Sequence, residues 1–299
     1  MKPAAFAWHR PRSVDEALEL LAQHADDEKP LAGGQSLVPA MNFRLAQPAR
    51  LVDLNEIAAL SYMRPTSDGG VAIGAMTRQR EVEHSALVAE RSALVTETLP
   101  FVAHHQIRNR GTFGGSLAHA DPAAELPAVA VALGARFKLV AQGRERWIDA
   151  SDFYQGLFTT ALEPGELLAE VVLPPPAPRM GWAFEEVARR HGDFALVGVA
   201  VMVRASSAGD VDLARIVLLS VGEGPVIAVK AAAALVGTRA GESTIHEAAR
   251  VCAAHDVDPP SDLHASAKYR RRLTEVLTRR ALARAVLRAN EGGARATQP

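Results

Sequence analysis

The chain has 299 residues, 48% of them hydrophobic, enough to fill two or three compact cores. With 33 basic residues against 34 acidic ones its formal charge is −1, which argues against nucleic acid, an anionic membrane or a strongly charged substrate as a general partner. The single cysteine, Cys252, excludes an intramolecular disulfide and a cysteine-ligated iron–sulfur cluster, and its apolar-periodic neighbourhood reads as that of a buried thiol.

In chain order, Trp8, His9, Arg10 and Arg12 interrupt the start where a signal peptide needs an unbroken apolar run. No later run is long enough to span a bilayer, so a cytoplasmic address is expected. Ser13 and Glu16 form a capping box ahead of Val14, Ala17, Leu18 and Leu21, which predicts a helix over 14–24. The acidic turn Asp26-Asp27-Glu28 leads into a brief strand over 30–32 and the glycine-rich segment Ala32-Gly33-Gly34-Gln35-Ser36-Leu37. A short helix is expected from Leu37 with Ser36 as its cap, then a strand over 50–54 ending at Asp53, giving a compact α/β lobe.

A strand over 71–75 and a mainly helical stretch over 78–102 precede a second glycine-rich segment, Gly111-Thr112-Phe113-Gly114-Gly115-Ser116-Leu117, about eighty residues after the first. Asp121-Pro122 is expected to open a helix, aspartate as cap and proline in the first turn. The stretches 136–141 and 145–148 flank Gln142-Gly143-Arg144 as a hairpin, and 167–173 is a further strand. Pro174-Pro175-Pro176-Ala177-Pro178 is a stiff break and the expected domain boundary. Beyond it, 194–203 and 214–221 read as an antiparallel pair around the turn 206–210. Helices are expected over 226–235, 245–255 and 266–289, the last arginine-rich with a buried stripe, before a flexible tail at 291–299.

The two glycine segments carry the functional signal. Glycine lets a backbone approach a phosphate with no side chain between, and Ser36, Thr112 and Ser116 add hydroxyls. Both segments precede expected helix starts, whose free N–H groups favour an anion, so a diphosphate wrapped from two sides and hence a dinucleotide is the leading ligand. Other signatures fail. There is no G-x-G-x-x-G after a strand and no Gly-Lys pair; Arg250 stands where a zinc-protease helix begun at His246-Glu247 would need its second histidine; His104-His105 has no partner set for a metal.

With these residues in view, Ala32-Gly33-Gly34-Gln35-Ser36-Leu37-Val38-Pro39-x-Met41-x-x-Arg44-Leu45, continuing to Leu51-Val52-Asp53-Leu54, resembles the first FAD motif of the medium flavoprotein subunit of molybdenum hydroxylases. The stretch from Thr112 through Gly114-Gly115-Ser116 to Glu125-Leu126-Pro127 resembles the second, and Arg189–Val197 and Ser266–Arg271 extend the resemblance over essentially the whole chain. That family includes the flavin subunits of carbon monoxide dehydrogenase and xanthine dehydrogenase-like enzymes.

The resemblance implies an α+β architecture: an FAD-binding domain at 1–176 of the vanillyl-alcohol-oxidase (PCMH-like) type, with subdomains at about 1–56 and 57–176, then a C-terminal α+β domain at 180–290. It implies noncovalent FAD. Lys29, Pro30 and Leu31 would enter the site, and Ala32, Gly33, Gly34, Gln35, Ser36 and Leu37 would line the pyrophosphate from one side. Gly111, Thr112, Gly114, Gly115 and Ser116 would meet it from the other. Val102, Ala103, Ala118, His119 and Ala124 are further cofactor-lining candidates. Asp121 and Glu125 are candidates for the ribose or adenine end, or serve as helix cap and first-turn charge. Leu162 matches a position near the flavin ring, and Phe184 stands where some relatives carry a lysine or tyrosine.

The function so implied is an electron relay in a heterotrimer. Substrate is oxidised at a molybdenum cofactor in a large subunit, electrons cross the 2Fe-2S clusters of a small subunit, and FAD passes them to an external acceptor. The chain itself has neither the cysteines for clusters nor a recognisable acid–base pair, and no metal or catalytic residue is assigned to it. Two alternatives stay open: a stand-alone FAD-dependent oxidoreductase, with His104, His105 or His119 as the proton-abstracting group, and a noncatalytic nucleotide-binding assembly module.

Overall fold

The computed structural model describes residues 2–23 and 28–295, with the side chains of 293–295 excepted. The acidic turn at Asp26-Asp27 and the residues after Arg295 lie outside the described residues. The architecture is α+β: among the described residues, three larger sheets carry the chain's cores, and Tyr154–Gly156 with Thr159–Thr160 forms a two-stranded ribbon.

The first unit is a three-stranded parallel sheet in which Arg50–Asp53 lies between Ala7–His9 and Glu28–Leu31. Helix Val14–Gln23 buries Ala17, Leu18 and Leu21 against it. The expected capping box forms with one change: the Ser13 hydroxyl accepts from the Glu16 N–H at 3.1 Å, but the Glu16 carboxylate accepts from Arg12 N at 2.8 Å. Register pairs Leu31 with Asp53, so the first glycine loop and the turn after Asp53 leave the sheet side by side.

The second unit is a five-stranded antiparallel sheet in the order Met63–Pro65, Val71–Gly74, Leu167–Leu173, Arg136–Ala141, Arg144–Asp149. Its hairpin turns at Gln142-Gly143, where glycine takes φ +73°. The stretch expected to be mainly helical is three short helices, Gln79–Glu83, Ala86–Arg91 and Ala93–Thr98, ending in a 3-10 turn at Leu99–Phe101. The expected helix at Asp121-Pro122 begins later, at Glu125. Asp121 instead closes a tight turn by accepting from the Ala123 N–H at 2.9 Å, and Ala120 turns the chain with φ +53°.

The third unit is an antiparallel sheet of Met180–Ala188, Ala195–Ala205, Val211–Leu219 and Val226–Ile227, backed by helices Glu242–Val251 and Ala267–Arg295. Strand Met180–Ala188 was not anticipated, and the helix expected over 226–235 is a two-residue strand followed by helix Val229–Ala233. The last helix extends to Arg295, into the segment expected to be a flexible tail, whose remaining residues, 296–299, lie outside the described residues.

This sheet is buried on both faces. Phe184, Ala200, Val217 and Leu219 pack with helix Glu125–Leu133 of the second unit, whereas Ala183, Val199, Val201, Ile216 and Leu218 pack against the C-terminal helices. Two-sided burial explains why Ala195–Ala205 is a nearly unbroken apolar run without the alternation of a half-exposed strand. No helix among the described residues is long and apolar enough to cross a membrane.

Candidate functional site

The first loop continues strand Glu28–Leu31 and bends at Gly34, whose φ of +71° suits glycine. Gln35 Nε2 donates to the Gly33 carbonyl at 3.1 Å and Val38 N to the Gly34 carbonyl at 3.1 Å, which hold the bend. Among the described residues, the N–H groups of Gly33, Gly34, Gln35 and Ser36 donate to no protein acceptor. They form a run of free donors, the arrangement that cradles an anion. Ser36 does not cap helix Leu37–Asn42 with its side chain; the hydroxyl is exposed at the loop instead. Lys29 and Pro30 are exposed, and Leu31 and Ala32 partly so.

The second loop is built differently. Gly111 N donates to the Ile107 carbonyl at 2.7 Å, Phe113 N to Thr77 at 2.9 Å, and Gly114 N to Ala75 at 2.9 Å. The Thr112 hydroxyl caps helix Phe113–His119 by accepting from Gly115 N at 3.1 Å, and Ser116 N donates to the Thr112 carbonyl at 3.2 Å. The expectation that both loops offer free N–H groups therefore holds only for the first. In the second, folding uses the amides of Gly111, Phe113, Gly114, Gly115 and Ser116 and buries Thr112, which leaves the hydroxyl of the partly buried Ser116 as its accessible side-chain donor.

Its glycines serve close packing. A Cβ on Gly114 would lie 2.4 Å from the Ala75 Cβ, and one on Gly115 would lie 2.5 Å from Thr112 Oγ1 and 3.1 Å from the Ala32 Cβ. Gly33 abuts the other loop: its Cβ would fall 2.4 Å from the Arg110 carbonyl oxygen and 2.7 Å from the Gly111 Cα. The two loops thus meet backbone to backbone, with the run of free amides on the first and the Ser116 hydroxyl on the second. These residues fit a diphosphate, the part of FAD that needs many donors and no bulk.

The remaining candidates surround the two loops at varied depth. Val102 is buried, and Ala103 takes φ +46°; both carbonyls accept from the buried Arg108 guanidinium, at 2.8 and 3.2 Å. Arg108 also forks onto Glu83 at 2.9 and 3.1 Å, so this approach to the second loop is firmly anchored. Ala118 is partly buried, His119 places its ring 5.2 Å from that of Phe158, and Ala124 is the residue before helix Glu125–Leu133. Leu162 is partly buried at the edge of the core. Phe184 lies in the core with its ring edge-on to Phe101 at 5.2 Å.

Sequence reasoning missed Glu186. It shares a strand face with Phe184 and turns toward the second unit, with Oε2 buried and without a hydrogen-bond partner. Burial and the nearby Glu125 raise its carboxyl to about 9. Glu125 is itself pushed up to about 7, mainly by burial. A charged residue within an apolar strand is the only signal that could have marked it.

The folded state thus keeps protons that the unfolded chain releases above the ordinary carboxylate value of 4.5, and stability falls as pH rises from there through about 9. Glu186→Gln removes most of that loss. It is expected to raise the unfolding free energy of the FAD-free chain by on the order of 2–4 kcal/mol near pH 9 and to leave it unchanged near pH 4. Urea unfolding at the two pH values checks this; an equal shift at both would contradict it.

Comparison with known proteins agrees over the length of the chain. Residues 4–176 match the family model described as the FAD binding domain in molybdopterin dehydrogenase, and 182–285 match the CO dehydrogenase flavoprotein C-terminal domain. The chain is 42% identical over 286 residues to the caffeine dehydrogenase subunit beta of Pseudomonas sp. (strain CBB1), covering 95% of this chain and 96% of that one. It is 39% identical to the carbon monoxide dehydrogenase medium chain of Afipia carboxidovorans, covering 97% and 99%. A solved structure of reconstituted CO dehydrogenase from Oligotropha carboxidovorans superimposes with a TM-score of 0.92 at 39% identity, covering 96% of this chain and all of that one.

Proposed function

Because the chain belongs to the family of FAD-binding medium subunits of molybdenum hydroxylases, and is in that sense an oxidoreductase subunit, we propose that it relays electrons. They would come from the iron–sulfur clusters of a small subunit, pass through noncovalent FAD, and leave to an external acceptor. Substrate oxidation belongs to a large molybdenum-binding partner. The observation that carries the cofactor half of this reading is the run of free N–H groups in the first loop, which lies packed against the second loop.

Bound FAD supplies the redox chemistry. The chain's part is to hold it. The amides of Gly33 to Ser36 would donate to the diphosphate, and the Ser116 hydroxyl would donate from the second loop, whose start the buried Thr112 caps. Val102 and Ala103, fixed by Arg108, would border the cofactor with Leu162, and Glu125 would face its more polar end. Phe184, sealed in the core, would back the site from the C-terminal sheet and not lie flat against the ring. A cytoplasmic location goes with a chain whose single cysteine is a buried thiol.

The test is to purify the chain, identify any released flavin and titrate the FAD-free form. Binding of one FAD per chain, reduction of that flavin only when a cluster-bearing partner is present, and no turnover of organic substrates by the chain alone are expected. Steady turnover by the isolated chain would instead favour the stand-alone enzyme. A bound flavin that no complex reduces would favour the assembly module.

A further inference from the structure

Two side chains outside both glycine motifs tie the loops together. Asn55 stands in the 3-10 turn that follows strand Arg50–Asp53, where Asp53 Oδ1 accepts from its backbone N–H at 3.1 Å and from Nδ2 at 2.5 Å. Nδ2 also donates to the Ala32 carbonyl at 2.9 Å. Its Oδ1 accepts from Arg78 Nη2 at 2.7 Å, and Arg78 Nη1 donates to the Arg110 carbonyl at 2.5 Å. A guanidinium has no acceptor, so this bond fixes which way the Asn55 amide points. The path from the Ala32 carbonyl through Asn55 and Arg78 to the Arg110 carbonyl therefore joins the residue before Gly33 to the residue before Gly111.

The loops need such a tie. The first leaves the parallel sheet, whose core includes Val52, Leu54 and Ile57; the second leads into helix Phe113–His119, whose Phe113 and Leu117 belong to a separate core. Arg78 also pairs its backbone with Thr112 in an isolated bridge, so its side chain starts from the second loop and reaches toward the first. Among the described residues it makes no ion pair within 4.0 Å. Burial, and after it the neighbouring Arg110 charge, pull its guanidinium below the ordinary arginine value and outweigh the opposing pull of the Glu81 and Asp53 carboxylates.

We propose that Asn55 and Arg78 are positioning residues for FAD, forming a latch that sets the spacing of the two glycine loops around the diphosphate. The proposal rests on the cofactor reading given above. Positioning through a shared path makes a distinctive demand: breaking the path at either residue should do the same damage, and breaking it twice should do little more.

The experiment uses the full chain and four variants, Asn55→Ala, Arg78→Gln, Arg78→Lys and the double Asn55→Ala/Arg78→Gln. FAD affinity is read from quenching of flavin fluorescence, and the geometry of the bound flavin from its visible circular dichroism. Asn55→Ala and Arg78→Gln are each expected to weaken FAD binding about fivefold to thirtyfold. Both should alter the visible dichroism while the far-ultraviolet spectrum of the FAD-free chain stays as in the wild type. The double variant should be within about twofold of the weaker single. Arg78→Lys, which keeps the charge and a donor but not the fork, should recover part of the affinity.

Wild-type affinity in the single variants, or effects that multiply in the double, would overturn the latch. If Arg78→Gln does not fold, Asn55→Ala and Arg78→Lys decide by the same readouts. A wild-type chain that takes up no FAD would overturn the cofactor assignment, and the latch with it.

Discussion

Gly33→Val is expected to abolish FAD retention, lowering affinity by more than about a hundredfold, because the added side chain meets backbone and not a movable side chain. Its Cβ would sit 2.4 Å from the Arg110 carbonyl oxygen, 2.7 Å from the Gly111 Cα and 3.0 Å from the Arg110 carbonyl carbon. No rotamer relieves that overlap, so the loops must separate by about an ångström, and the diphosphate loses donors from one loop or the other. The cause is close approach and not backbone conformation, since Gly33 does not carry a positive φ. Gly143→Ala is the contrasting control. It sits at φ +73° with nothing within 4 Å of its Cβ, so it strains a turn that presses on neither loop and should keep its flavin. Flavin content after purification, compared at matched thermal stability of the FAD-free chains, is the measurement. A Gly33→Val chain with full flavin would remove the loop assignment.

The same comparison changes the meaning of Gly115. From the sequence, a valine there would stand where the diphosphate approaches the backbone. In the structure its Cβ points at Thr112 Oγ1 and Ala32 instead, so a substitution acts by breaking a helix cap and pressing on the first loop. Both glycine segments were legible because composition alone betrays a backbone that must come close to something. Whether that something is a ligand or another loop depends on which amides the fold has already used, and this is decided by partners distant in sequence, such as Ala75 and Thr77 for Gly114 and Phe113.

Four strands of the five-stranded sheet, the hairpin at Gln142-Gly143 and the long last helix followed from apolar runs, turn chemistry and period, whereas the three-residue edge strand Met63–Pro65 did not. Met180–Ala188 did not, because its residues face two different cores in turn and its exposed pattern is broken by Glu185 and Glu186. Asp121-Pro122 carried the marks of a helix start, yet Asp121 spends its carboxylate on a tight turn that delays the helix to Glu125. Asn55, Arg78 and Arg108 are invisible to any local pattern: each matters through a carbonyl or carboxylate more than five residues away or on another element.

Gly181→Val separates the role of the C-terminal domain from that of the loops. Gly181 pairs with Val203 in the sheet and lies under the last helix so closely that a Cβ would fall 1.8 Å from the Ala285 carbonyl oxygen and 2.6 Å from Ala289 N. The helix presents Ala281, Ala285 and Ala289 there, one turn apart and nearly inaccessible, so its backbone rests directly on the strand. A valine must lift the helix and open the packing around Leu277, Leu282 and Ala285. The expected cost is at least about 3 kcal/mol, read as a lower urea midpoint of the FAD-free chain. Ala183 and Phe184 lie next along the strand on opposite faces, and Phe184 touches Phe101 beside Val102 and Ala103. The disturbance therefore reaches the cofactor site only as a loosened backing, and FAD should bind less than about tenfold more weakly. A wild-type midpoint would contradict the packing argument. Loss of FAD as complete as in Gly33→Val, with secondary structure retained, would mean that the C-terminal sheet is itself part of the binding surface and does more than close it.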